Sequence, residues 1–298
     1  MPDKRVISAH LSLLLCNLIW ACDYPFYSLV LGRYVSPLAM ASASLIVAAL
    51  LSLVPLFWER AEPIARGDIP KICVAALLMG VMRKLCMMYG MSLTSPIDGS
   101  IISTITPLLV LLMSVAVGVE SLTSRKVVGV TLGMAGALAV IMSGSGITHA
   151  RSDIDGNLLI LFSAVVSALY MVYFKRIVGR YRVTTLLRWI YCLSAAVMLP
   201  FGMHDLAETD LGAMNWHIVA ALLFVLIVPT YLPNLLLNRA LQYVAPTLTS
   251  IYAYLQPVVA IALSVAMGLD RLHADTLLFA LVIFVGVAMV SSSYARRT

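Results

Sequence analysis

Asn17, Trp20, Asp23, Tyr24 and Tyr27 fall at helical spacing within the apolar stretch Leu13–Val30, so a helix gathers them onto one face. A carboxylate at such a depth in hydrocarbon costs about 2.5–3.5 kcal/mol even on a lenient insertion scale, so Asp23 must face a wet cavity or a partner. Arg83 and Lys84 interrupt a second apolar run, 71–91, in the same way. At 1.5 Å of rise per residue, Asp23 lies about 15 residues into its run and Arg83 about 12, so their depths differ by roughly 5 Å. Such groups either pair statically or act as counter-ions displaced by a substrate or a proton, and Lys84 can also snorkel to the interface. The chemistry these residue types offer is recognition of charge. Nothing resembles a nucleophile with its base: HExxH and GxSxG are absent, and all five histidines lie at span ends or in loops.

Further polar stripes share this spacing: Thr230, Asn234 and Asn238; Ser163, Ser167 and Tyr170; Thr249, Tyr252 and Gln256; Ser100, Ser103 and Thr104. Either they bond across packed helices, at about 0.6 kcal/mol each, or they line a cavity. The candidate substrate-binding set is therefore Asn17, Trp20, Asp23, Tyr24, Arg83, Lys84, Tyr89, Ser103, Tyr170, Asn234, Asn238, Tyr252 and Gln256. A zwitterion or small amphipathic metabolite suits it, with a carboxylate at Arg83, an amine near Asp23 and an organic body against the rings.

The elements that must hold these residues follow from composition. With 61% hydrophobic and 11% charged residues, against about 25% charged in a soluble domain, the chain is expected to be an integral membrane protein. Ten apolar runs are long enough to cross as helices: 8–30, 38–57, 71–91, 97–117, 126–143, 156–175, 185–202, 215–236, 247–267 and 276–293. Fifteen Lys and Arg fall in loops on the side of the termini and three on the other, which places both termini in the cytoplasm. The net charge of +6 is thus about orientation, not nucleic acid. The first run is too long for a secretory leader and is expected to stay. Five scattered cysteines in apolar runs read as core thiols, and neither a metal nor another cofactor is expected.

The chain matches itself at a shift of 150 residues. Pro96 falls on Pro246, Ser100 on Ser250, Ile101 on Ile251, Pro107 on Pro257, Ser114-Val-Ala on Ser264-Val-Ala, Gly118 on Gly268 and Gly136 on Gly286. Each half holds five spans, an odd number, so the second half enters the membrane inverted. The expectation is an all-α membrane protein of ten transmembrane helices, arranged as two inverted five-helix repeats, 1–147 and 148–298, around a central cavity. Pro107 and Pro257 are candidate paired hinges, and Gly129 with Gly133 forms a GxxxG packing face.

Trp20-Ala21, Tyr89 with Thr94-Ser-Pro, Pro107, Gly118-Val-Glu-Ser-Leu and Gly129, Gly133 and Gly136 in the first half resemble the drug/metabolite transporter superfamily, EamA type. The second half repeats the set with Tyr170, Lys175, Arg239-Ala-Leu, Pro257, Gly268-Leu-Asp-Arg-Leu and Gly286. The first copy lacks a basic residue at the end of its first helix, and Asp270 replaces the more usual Glu. The resemblance implies helices 1 to 4 and 6 to 9 around the cavity with 5 and 10 outside. It also implies alternating access in the bacterial cytoplasmic membrane, often for export. Protons are a candidate coupling ion through Asp23. No Walker A sequence points to ATP. A membrane enzyme or a passive channel is the alternative reading.

Overall fold

The computed structural model describes residues 4–93, 102–144, 154–256, 258–259 and 274–295. Their regular elements are helices, with one isolated bridge pairing Leu31 and Val35. α1 (Lys4–Val30) ends in a tight reversal around Gly32, whose missing Cβ permits a φ of +76° and whose N–H donates to the Val35 carbonyl at 2.9 Å. Ser36 then caps α2 (Pro37–Leu53), its Oγ accepting from the Ala39 N–H at 3.1 Å. Pro37 costs nothing in the first turn, where its missing N–H has no partner anyway.

α3 (Ile69–Ala75), a π-helical segment Ala76–Met82 and α4 (Arg83–Leu93) form one continuous apolar rod. After a break come α5 (Thr106–Ala116), α6 (Ser124–Gly144), α7 (Ile154–Tyr173), the short α8 (Lys175–Val178), α9 (Val183–Glu208), α10 (Trp216–Tyr243), α11 (Pro246–Ser250) and α12 (Ala274–Ala295). Among the described residues, six helical stretches are long and apolar enough to cross a membrane: Lys4–Asp23, Pro37–Phe57, Arg66–Leu93, Ile154–Tyr173, Val183–Glu208 and Trp216–Tyr243. Thr106–Ala116 and Leu281–Tyr294 are shorter apolar helices. The protein is an integral membrane protein. Parts of the expected fourth and ninth spans lie outside the described residues, as do Pro257, Asp98 and Asp270.

Two expectations change. The seventh expected span, 185–202, ends too early; α9 carries Pro200 inside it and runs on to Glu208, because membrane helices tolerate proline where neighbours take up the freed backbone. The fourth expected span, 97–117, is not one continuous helix at Pro107 either. The chain turns at Thr104–Ile105 and restarts, leaving Pro107 in the first turn of α5, where proline is at home.

The helices pack as pairs: α1 along α10, α4 along α7, α2 along α9, and α6 along α12. Small residues set the closest approaches. A Cβ on Gly286 would lie 2.7 Å from the Gly129 carbonyl oxygen and 2.7 Å from the Gly133 nitrogen, so the GxxxG face serves a crossing within the chain. Leu11, Leu50, Leu281 and Phe284 are exposed, as suits a surface that meets acyl chains.

Polar ties join distant segments at the helix ends. In the loop before α6, Glu120 accepts from Lys126 Nζ at 2.6 Å, from the Thr247 N–H at 3.0 Å and from the Tyr294 hydroxyl. Burial opposes its charge, yet these three donors and the Lys126 charge together hold its carboxyl below the ordinary carboxylate value. Asp68, nearly inaccessible, accepts from Arg180 at 2.7 Å, Tyr181 at 2.8 Å and Lys71 at 3.1 Å.

Candidate functional site

Proline chemistry shapes one wall of a hollow inside the bundle. Pro233 has no N–H for the carbonyl four residues earlier, so the Pro229 carbonyl loses its helical partner. Trp20 Nε1, from α1, donates to that carbonyl at 3.3 Å. One residue on, the Thr230 carbonyl accepts from Asn234 Nδ2 at 2.8 Å and from the Tyr191 hydroxyl at 3.1 Å. The opened stretch of α10 is thus satisfied by side chains of α1, α9 and α10 itself.

Around it lies a hollow with a volume of about 160 Å³, below the 300–1,000 Å³ typical of drug-sized ligands and suited to a small metabolite. Asn17, Trp20 and Asp23 reach it from α1, Arg83 and Lys84 from α4, Ser103 from before α5, Asn234 from α10, and Gln256 from beyond α11. The π segment stands directly before the two cations. Its wider turn, closed by the Arg83 N–H on the Leu78 carbonyl, rotates the start of α4 relative to a regular helix.

The three charges do not form a closed pair. No atom of Asp23 comes within 4.0 Å of a cationic nitrogen among the described residues. Its Oδ1 is buried with no hydrogen bond. Lys84 Nζ instead donates to the Tyr27 hydroxyl at 3.2 Å, 5.7 Å from the centre of that ring. Arg83 Nε is buried without a hydrogen-bond partner. Asn17 and Gln256 are tied together, Gln256 Nε2 donating to Asn17 Oδ1 at 2.8 Å.

Other candidates stand elsewhere. Tyr170 is wholly buried, its hydroxyl donating to Asn238 Oδ1 at 2.7 Å, so both are packing partners away from the hollow. Tyr252 bonds His10 Nδ1 at 2.6 Å, and Tyr89 is 39% exposed on the outer face of α4. The side chain of Tyr24 lies outside the described residues. Periodicity within one helix identifies a polar face but not which neighbour covers it, and here α10 covers Tyr170. Sequence reasoning passed over Tyr191, Ser44 and the methionines Met79, Met87, Met88 and Met171, all of which line the hollow. Ser44 offered a signal as one of three serines, with Ser42 and Ser52, in an apolar span; the methionines offered none, being ordinary core residues by type. Among the described residues, no three His, Cys, Asp or Glu side chains converge as a metal site.

Apolar helices packed around a charged internal hollow define a polytopic membrane protein of the solute-transporter class. The chain belongs to the EamA-like transporter family, whose model matches residues 7–142 and again 154–292. It is 25% identical over 240 residues to "Uncharacterized transporter YyaM" of Bacillus subtilis, which covers 79% of this chain and 78% of that one. An "Uncharacterized transporter" of Archaeoglobus fulgidus is 25% identical over 250 residues, covering 83% and 85%. A solved crystal structure shares the fold with a TM-score of 0.75 at 18% identity, over 98% of this chain and 99% of that one.

Proposed function

We propose that this chain is a secondary transporter that exports a small amphipathic or zwitterionic, amino-acid-like metabolite across the bacterial cytoplasmic membrane by alternating access, with both termini cytoplasmic. The observation that carries the proposal is the convergence of Asp23, Arg83 and Lys84 on one hollow inside the bundle, with neither cation within 4.0 Å of the acid. Charges left open inside a membrane protein are costly, and a substrate that completes them supplies the reason for keeping them. The carboxylate of the solute meets Arg83, its amine meets Asp23, and its body rests on Trp20, Tyr27 and the methionines.

The ten-helix inverted repeat is part of this proposal. The family model matches the chain in two stretches, and the pairing of α1 with α10 resembles that of α4 with α7 once the halves are exchanged. The helix breaks at Thr104–Ile105 and at Ile251–Tyr254 lie about one 150-residue offset apart, which supports the same reading.

Counterflow in proteoliposomes tests the proposal. Vesicles preloaded with an unlabelled amino-acid-like solute should accelerate uptake of the same labelled solute, as a carrier does. Uptake that is indifferent to internal solute would mean a channel, and no uptake across a broad set of small zwitterions would remove the transport reading.

A further inference from the structure

The described lining of the hollow carries two cations, Arg83 and Lys84, and one anion, Asp23, and no other charged side chain. If all three are ionised, the site sums to +1. A neutral zwitterion pairs one group of each sign and leaves that excess where water is scarce; a cationic solute doubles it. Only a solute of net charge −1 brings the sum to zero.

Local geometry says which cation is open. The Lys84 ammonium already donates to the Tyr27 hydroxyl at 3.2 Å. Arg83 is the open one: among the described residues it makes no ion pair, and its Nε is buried without a hydrogen-bond partner. A guanidinium presents five donors in a planar fork that matches a carboxylate in two-pronged fashion. The same hollow is lined by the soft, apolar side chains of Met79, Met87 and Met88.

Resting on the reading of this hollow as the substrate site, we infer that its preferred solute is an organic acid of net charge −1, an acidic amino acid or a compact monocarboxylate, with its acidic group on Arg83. Two carboxylates and one ammonium, as in an acidic amino acid, match Arg83, Lys84 and Asp23 one for one.

The test uses the full-length protein and solutes matched in size but not in charge: glutamate and butyrate at −1, glutamine and valine at zero, lysine at +1. Binding is read from the concentration dependence of thermal stabilisation. The wild type should bind glutamate at least tenfold more tightly than glutamine, and lysine most weakly. Arg83→Gln brings the site to zero and should reverse the order of glutamate and glutamine, whereas Arg83→Lys should keep the wild-type order and shows that the position tolerates change. Tighter binding of glutamine than of glutamate by the wild type, equal binding, or no binding of either anion overturns the charge inference. The transporter reading fails separately, if no solute of any charge shows counterflow.

Discussion

The Trp20 indole N–H points at the Pro229 carbonyl, 3.3 Å away, the acceptor that Pro233 leaves without a helical donor. One hydrogen bond therefore ties α1 to the opened part of α10 and fixes an aromatic wall of the hollow. Trp20→Phe keeps the apolar wall and removes the donor. An unsatisfied buried carbonyl costs about 1–3 kcal/mol, so this variant should melt several degrees below the wild type in lipid nanodiscs. An unchanged melting temperature would mean that water replaces the indole.

Close backbone approach between α6 and α12 makes a second prediction. Gly286→Ala places a methyl group 2.7 Å from the Gly129 carbonyl oxygen, and neither backbone has a flexible end that can give way. Forcing the helices apart should cost about 1–3 kcal/mol. Gly179→Ala is the control, because its added Cβ would meet the Lys175 carbonyl oxygen at an ordinary 3.5 Å. Thermal melts of the two variants should differ clearly, and equal melts would contradict the assigned crossing.

Glu120 links stability to pH. Burial raises its carboxyl pKa, but Lys126, the Tyr294 hydroxyl and the Thr247 N–H outweigh burial, so the folded value lies below the ordinary 4.5. A lowered folded value gives stability that is complete above the unfolded value and is lost as pH falls through the folded one. The wild-type melting temperature should hold down to about pH 5 and then fall. Glu120→Gln should start lower, by about 1–3 kcal/mol, and show a flatter decline in the acid range. Parallel curves for the two proteins would show that Glu120 does not carry the effect.

Tyr170 separates packing from recognition. Its hydroxyl is buried against Asn238 and away from the hollow. Tyr170→Phe should lower stability by about 1 kcal/mol while leaving the affinity for a transported solute unchanged. A changed affinity at unchanged stability would return Tyr170 to the binding wall.

Much of this architecture is legible in the sequence, and the reason is physical. Lipid forces every span to be long and apolar, so Pro37–Phe57 and Trp216–Tyr243 announce themselves, and the cost of burying Asp23, Arg83 and Lys84 marks them before any coordinates. Pairings were less legible. Whether Tyr170 meets Asn238 or the hollow depends on how α7 is rotated against α10, which spacing along one helix does not encode. The π segment before Arg83 carries no residue signature, since Ala76–Met82 reads as ordinary apolar helix. The end of α9 is hard to read for a related reason: proline marks a break in water, but α9 continues through Pro200 to Glu208 under the cover of its neighbours.

Initial rates of solute counterflow in proteoliposomes test the central claim most directly, comparing wild type, Asp23→Asn and Arg83→Ala, with each variant confirmed as folded by its melting curve. If the charges in the hollow grip the solute, each variant should lose at least tenfold in rate. Two folded variants transporting at the wild-type rate would contradict the account.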